Sequence, residues 1–241
     1  MRAFIFPGQG AQSVGMGRAL ADAYPEARAA FEEVDDALGQ KLSTLIFEGP
    51  QDELTLTENA QPALMATSMA AFRALGAEGV TIEDAAYVAG HSLGEYSALA
   101  AAGALGMGDA ARLLRKRGQA MQEAVPVGVG AMAAILGLGY EKAVVVAAEA
   151  SGGQVCEAAN DNDPSQVVIS GHKAAVDRAA EIAREHGAKR AVILPVSAPF
   201  HCELMQPAAD AMRAALAEVA IGSPAVPIVS NVSASGVEDP E

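Results

Sequence analysis

Ala85-Ala86-Tyr87-Val88-Ala89-Gly90-His91-Ser92-Leu93-Gly94-Glu95-Tyr96-Ser97-Ala98-Leu99-Ala100-Ala101-Ala102 is the stretch from which the architecture is read. The apolar run at 85–89 predicts a buried strand and the alanine-rich run at 93–102 predicts a helix. Between them Gly90-His91-Ser92-Leu93-Gly94 matches G-x-S-x-G, and a strand before with a helix after is the context that motif requires. A serine on so sharp a turn is strained, and side chains at the two glycine positions would meet neighbouring backbone. At the start of the helix the Leu93 amide points where an oxyanion would develop, helped by the positive end of the helix dipole. The plainer reading is an ordinary glycine-rich strand-to-helix turn.

Working outward, residues 3–6 form a short apolar run stopped by Pro7 and Gly8, a second strand signal. Helical patterns follow at 17–24, at 25–38 with Pro25 at the first position and Gly39 beyond the last, at 59–75 closed by Gly76, and at 108–124. Strand, helices, strand, helix is the order of a parallel sheet with crossover helices, hence an α/β fold with a larger, α/β-hydrolase-like domain. Beyond Pro126 the rhythm changes. Strands are predicted at 130–136, 154–159, 166–169 and 190–196, helices at 140–151 and 173–186, and a turn at Asn160-Asp161-Asn162-Asp163-Pro164. That is βαββαβ, a ferredoxin-like subdomain at 126–196 inserted into a larger domain made of 1–125 and 197–241. A helix at 203–220 and a strand at 226–232 complete the larger domain.

The 241 residues, 51% hydrophobic, suffice for a sizeable core. Acidic residues outnumber basic ones 30 to 16, and the net charge of -14 opposes nonspecific attraction to nucleic acid or anionic membranes. No apolar run approaches the roughly 18 residues of a membrane span. The two cysteines, Cys156 and Cys202, have no C-x-x-C spacing, so neither zinc nor a disulfide framework is expected and a reducing cytoplasm is the natural setting.

A serine nucleophile needs a base, and four histidines are available. His186 ends a helix, where a cation suits the dipole; His172 reads as a solvated loop residue; His91 adjoins the serine and points elsewhere. His201 lies in a proline-constrained loop after a predicted strand, where catalytic residues of open α/β sheets sit, and is the best base by elimination. Without Ser92 it would read as a satisfied core histidine, and Cys202 beside it reads as a small buried hydrophobe. Pro7-Gly8-Gln9-Gly10-Ala11-Gln12 lacks the third glycine of a dinucleotide loop and the lysine of a P-loop. It reads either as a plain turn or as a source of a second oxyanion donor.

On the helix from 108, Ala110, Leu113, Leu114, Arg117 and Met121 share one stripe, so Arg117 points inward with the apolar side chains. An inward guanidinium needs an anion, and no acidic residue lies three or four positions away. Two partners are open: a carboxylate distant in sequence, or the carboxylate of a substrate held bidentately.

Seven segments together resemble the malonyl-CoA:acyl carrier protein transacylases of bacterial fatty acid synthesis. They are Phe6-Pro7-Gly8-Gln9-Gly10-Ala11-Gln12, Gln61-Pro62-Ala63-Leu64, Gly90 to Ser97, Arg117-Gly118, Gly130-Ala131-Met132, Gln166 to Gly171 and Pro199-Phe200-His201. The resemblance implies a ping-pong transfer of malonyl from malonyl-CoA through Ser92 to the phosphopantetheine thiol of acyl carrier protein, with no tightly bound cofactor. It implies His201 as base, the amides of Gln9 and Leu93 as oxyanion hole, and Arg117 as clamp for the malonyl carboxylate. Gln61, Met121 and Asn160 would line the pocket, and the bulk of Phe200 would disfavour an α-methyl branch. An acidic carrier protein would dock on basic residues among Arg112, Arg115, Lys116, Lys189 and Arg190. The family continues with a further helix, an Asn-Pro-Val-Gln loop whose glutamine carbonyl orients the histidine, and a Gly-Pro-Gly unit. None of the three occurs in these residues, so a longer protein is expected. The competing readings are a serine esterase or thioesterase, and a non-catalytic acyltransferase-like fragment.

Overall fold

Phe4 and Phe6 both meet Phe72 edge to face, with ring centroids 5.2 and 6.4 Å apart, and this contact decides which face of the first strand is buried. In the computed structural model, which describes residues 1–239, that strand is β1 (Ala3–Phe6). The expectations at positions 240 and 241 lie outside the described residues. The chain divides into two compact units, Met1–Gly118 with Ala214–Glu241, and Gln119–Arg213.

In the first unit β1 pairs in parallel with β2 (Tyr87–Gly90), and β2 pairs in parallel with β7 (Ile228–Val229). Phe6, Val88 and Ile228 point to the buried face, whereas Ile5 on the other face is 77% exposed. The sheet is not wholly parallel as expected: β8 (Gly236–Val237) returns antiparallel on β7, because the chain reverses at Ser230, whose N–H donates to the Ser235 carbonyl. The expected strand at 226–232 shrinks accordingly to two residues.

The helices of this unit are α1 (Arg18–Ala23), α2 (Pro25–Leu38), α3 (Leu42–Glu48), α4 (Gln51–Thr55), α5 (Thr57–Ala77) and α6 (Gly94–Ala101); α7 (Met107–Ala124) begins in it. The short α3 and α4 went unread, since two turns of helix leave little periodic trace. α5 runs past Gly76, which is tolerated inside the helix at about 1 kcal/mol. The helix is closed instead where Gly79 takes φ 83° and the Val80 N–H returns to the Leu75 carbonyl.

The second unit holds β3 (Gly130–Leu136), α8 (Tyr140–Ser151), β4 (Cys156–Asp163), β5 (Gln166–His172), α9 (Lys173–Glu185) and β6 (Arg190–Ile193). Its sheet has the order β4-β5-β3-β6, every pair antiparallel. Strand alternation sorts its residues cleanly: Ile135 and Ile169 pack with Val146 and Val176 of the two helices, while Met132 and Val168 pack with Met121, Phe200 and Met205. The strand expected at 190–196 stops at Ile193, that at 166–169 runs on to His172, and the expected turn is displaced. Asn160 to Asp163 is not the turn but the end of β4, held in the ladder by two bulges. The turn falls one step later, where Asp163 Oδ1 accepts the Ser165 N–H at 2.7 Å and its hydroxyl at 2.8 Å. The helix expected at 203–220 is likewise shorter, a 3₁₀ turn at Glu203–Met205 followed by α10 (Gln206–Leu216).

Candidate active site

The turn after β2 is built by close approach. A Cβ on Gly90 would stand 1.9 Å from the Gly94 carbonyl carbon, and one on Gly94 would stand 2.5 Å from the Phe6 carbonyl oxygen. Only glycine lets α6 start this tightly against the two strands. Between them Ser92 takes φ 53°, a left-handed conformation that a non-glycine residue keeps only when its surroundings enforce it.

Asn231 supplies that enforcement. Its Oδ1 accepts the Ser92 N–H at 2.7 Å and its Nδ2 donates to the Gly90 carbonyl at 2.6 Å, so one side-chain amide closes both ends of the elbow. Asn231 was missed in the sequence. It stands in an irregular stretch far along the chain from Ser92, and no local pattern marks such a contact.

Arg117 points inward, as the stripe on α7 predicts. Nη1 donates to Gln61 Oε1 at 2.7 Å, Nη2 donates to Ser92 Oγ at 3.1 Å, and the guanidinium lies 6.0 Å from the Tyr96 ring centre. Gly118 makes this reach possible, since a Cβ there would stand 2.4 Å from the Glu58 Cα and would push α7 off α5. Burial lowers the Arg117 pKa, opposed by Tyr96 and Glu95, yet a guanidinium stays charged in proteins. Among the described residues, no ion pair forms on Arg117. Glu95 acts on the guanidinium electrostatically after Tyr96, and burial raises the pKa of that carboxyl, against the opposing effect of the Asn231 N–H and Arg117. Among the described residues, the distant carboxylate partner left open by the sequence forms no salt bridge with Arg117.

Gln61 is buried, and its Nε2 donates to Thr57 Oγ1 at 2.9 Å; Thr57 donates in turn to Gln9 Oε1 at 2.9 Å. The structure thus joins Gln9, Gln61, Ser92 and Arg117 in one hydrogen-bonded set within the first unit, with Leu93 buried beside Ser92. Thr57 also went unread, as one more threonine in Leu54-Thr55-Leu56-Thr57.

His201, Phe200, Met121 and Asn160 belong to the second unit. His201 takes φ 60°, and the loop bearing it is tied by Cys202 Sγ to the Pro199 carbonyl at 3.2 Å and by the Glu203 N–H to Glu157 Oε2 at 3.0 Å. Phe200 and Met121 share one apolar cluster, and Asn160 stands opposite Val168 in the β4–β5 ladder. Burial pushes the Cys156 thiol up to about 11 and raises Cys202 as well, so neither is an activated nucleophile. His172 is not a solvated loop residue: its Nδ1 accepts the Val155 N–H at 3.0 Å. His186 faces Glu149, 2.9 Å away, as a surface pair.

Residues 3–241 match the family model described as acyl transferase domain. The chain is also 52% identical over 233 residues to the malonyl CoA-acyl carrier protein transacylase of Bacillus subtilis (strain 168), covering 96% of this chain and 73% of that protein. The chain belongs to the malonyl CoA-acyl carrier protein transacylase family of acyl transferases. The acyl-carrier-protein-S-malonyltransferase of Bartonella henselae superposes with TM-score 0.95 at 55% identity, covering all of this chain and 77% of that one. A malonyl-transacylase solved in complex with a type II PKS acyl-carrier protein superposes with TM-score 0.94 at 45% identity, covering 98% of this chain and 76% of that one.

No group of three or more His, Cys, Asp or Glu side chains that could hold a metal ion occurs among the described residues. Nor is any described helix long and apolar enough to cross a membrane. One basic candidate of this transacylase needs correction. Arg115 is not a free surface charge: its Nη1 donates to Asn59 Oδ1 at 2.6 Å, and its Nε and Nη2 are buried. Arg112 pairs with Asp109 at 2.7 Å, while Lys116, Lys189 and Arg190 are exposed.

Proposed function

We propose that the chain transfers malonyl from malonyl-CoA to the phosphopantetheine thiol of acyl carrier protein through a malonyl-Ser92 intermediate. The observation that carries this reading is Arg117 Nη2 at 3.1 Å from Ser92 Oγ, on a guanidinium that forms no ion pair among the described residues. A three-carbon acyl group esterified at Ser92 would carry its free carboxylate to that guanidinium, where a charge-assisted fork receives it. An ordinary esterase has no use for such a cation beside its nucleophile.

In the first half-reaction His201 takes the Ser92 proton as Oγ attacks the thioester carbonyl. The N–H groups of Gln9 and Leu93 hold the oxyanion; the intermediate then collapses, the C–S bond breaks, and His201 returns the proton to the departing CoA sulfur. The carrier-protein thiol repeats the sequence on malonyl-Ser92, with His201 as its base. Gln61, Met121 and Asn160 line the acyl pocket, and Phe200 limits branching at the α carbon. All groups needed are side chains and amides of the chain, so no tightly bound cofactor is required, and the setting is cytoplasmic. The larger unit is read as α/β-hydrolase-like and the smaller as ferredoxin-like, from the strand order.

Intact-mass analysis after brief exposure to malonyl-CoA tests this directly. A malonyl adduct on the parent chain, absent from Ser92→Ala and discharged by holo carrier protein, is the expected result. Folded parent protein that takes up no malonyl overturns the reading.

A further inference from the structure

Thr57 is 0% exposed, a buried hydroxyl at the first position of α5, and it stands between two side-chain amides. The direction of its hydrogen bonds is forced from one end. Arg117 has only donors, so Gln61 must present Oε1 to Nη1, 2.7 Å away. That leaves Gln61 Nε2 to donate to Thr57 Oγ1 at 2.9 Å. One of the hydroxyl's two lone pairs is so engaged, and its one proton goes to Gln9 Oε1, also at 2.9 Å. The result is a single polarised chain, Arg117 to Gln61 to Thr57 to Gln9, in which each donor strengthens the next acceptor.

Its two ends hold different chemistry. At one end is the guanidinium beside Ser92; at the other is the loop residue Gln9, whose backbone N–H is an oxyanion donor in the reading proposed above, on which this inference rests. Turning the Gln61 amide over would set its amino group against the guanidinium, with two donors facing and no acceptor. We infer that Thr57 is a positioning residue for acyl selectivity: it holds the Gln61 amide, and through it the Arg117 fork, in register with the Gln9 loop. An acyl group carrying a carboxylate draws on this register, whereas an uncharged one does not.

The test compares malonyl-CoA and acetyl-CoA as acyl donors to Ser92, by initial rates of adduct formation on the full chain. Thr57→Val keeps the shape and removes the hydroxyl; Thr57→Ala breaks the same link without the added methyl, should valine not pack; Thr57→Ser restores donor and acceptor. The expected result is a fall of roughly 10- to 100-fold in the malonyl-to-acetyl rate ratio for Val and Ala. Serine recovers it, and Thr57→Val has no further effect on that ratio in an Arg117→Ala background. Equal losses for both donors would mark Thr57 as merely structural, and an unchanged ratio would mark it as idle; either overturns the inference. Failure of the parent chain to take up malonyl at all is a separate outcome, since it strikes the functional reading and not the link.

Discussion

The β3–β5 ladder of the second unit runs through seven consecutive registers, whereas β2 and β7 of the first unit share two. In the long ladder the backbone satisfies itself and side chains are free to be apolar on both faces. In the short one the ladder stops just before the nucleophile, and the backbone groups it leaves at Gly90 and Ser92 are taken by the Asn231 side chain. Regular pairing gives stability, and its interruption gives a place where a strained serine can be held by polar side chains. The hydrogen-bonded chain Arg117–Gln61–Thr57–Gln9 continues that substitution of side-chain bonds for ladder bonds.

If the first unit is organised by specific polar bonds, removing its charged member should damage chemistry and spare the fold. Arg117→Ala is expected to cost malonyl uptake roughly 3–4 kcal/mol, on the order of 10²- to 10³-fold, for two hydrogen bonds from a charged group. Acetyl uptake and the melting temperature should change far less; parallel rates with the two thioesters check this, and equal losses would break the contrast. In the second unit the reverse is expected. Ile135 is fully buried on the helix-facing side of β3, away from the face that packs Phe200. Ile135→Ala should lower the unfolding free energy by about 2–5 kcal/mol in denaturant titration while leaving acylation per folded molecule near the parent rate. Asn231→Ala sharpens the comparison at the smallest scale. It deletes two hydrogen bonds to the elbow, worth ~1–3 kcal/mol together, from an exposed residue. Ser92 acylation should slow about tenfold with little change in melting, and an unaltered rate would show that the elbow holds itself.

Much of the second unit was legible because period-2 alternation and helix stripes are local signals, and β3 and α8 came out residue for residue. Its one misread turn shows the limit: Asn160 to Asp163 has turn composition, but pairing with β5 outweighs local preference and absorbs the excess length as bulges. In the first unit the long helices were legible, and α3, α4 and the antiparallel return of β8 were not, each being too short to show a period.

The sequence alone determined the strand-serine-helix turn and the inward aim of Arg117. Glycine at close approach and a 3.6-residue stripe are properties of a few neighbouring residues. Only the tertiary structure decided what those groups touch. Gln61 meets Arg117 across a separation of 56 residues and Asn231 meets Ser92 across 139, and a single polar bond between distant residues leaves no repeating pattern in the chain.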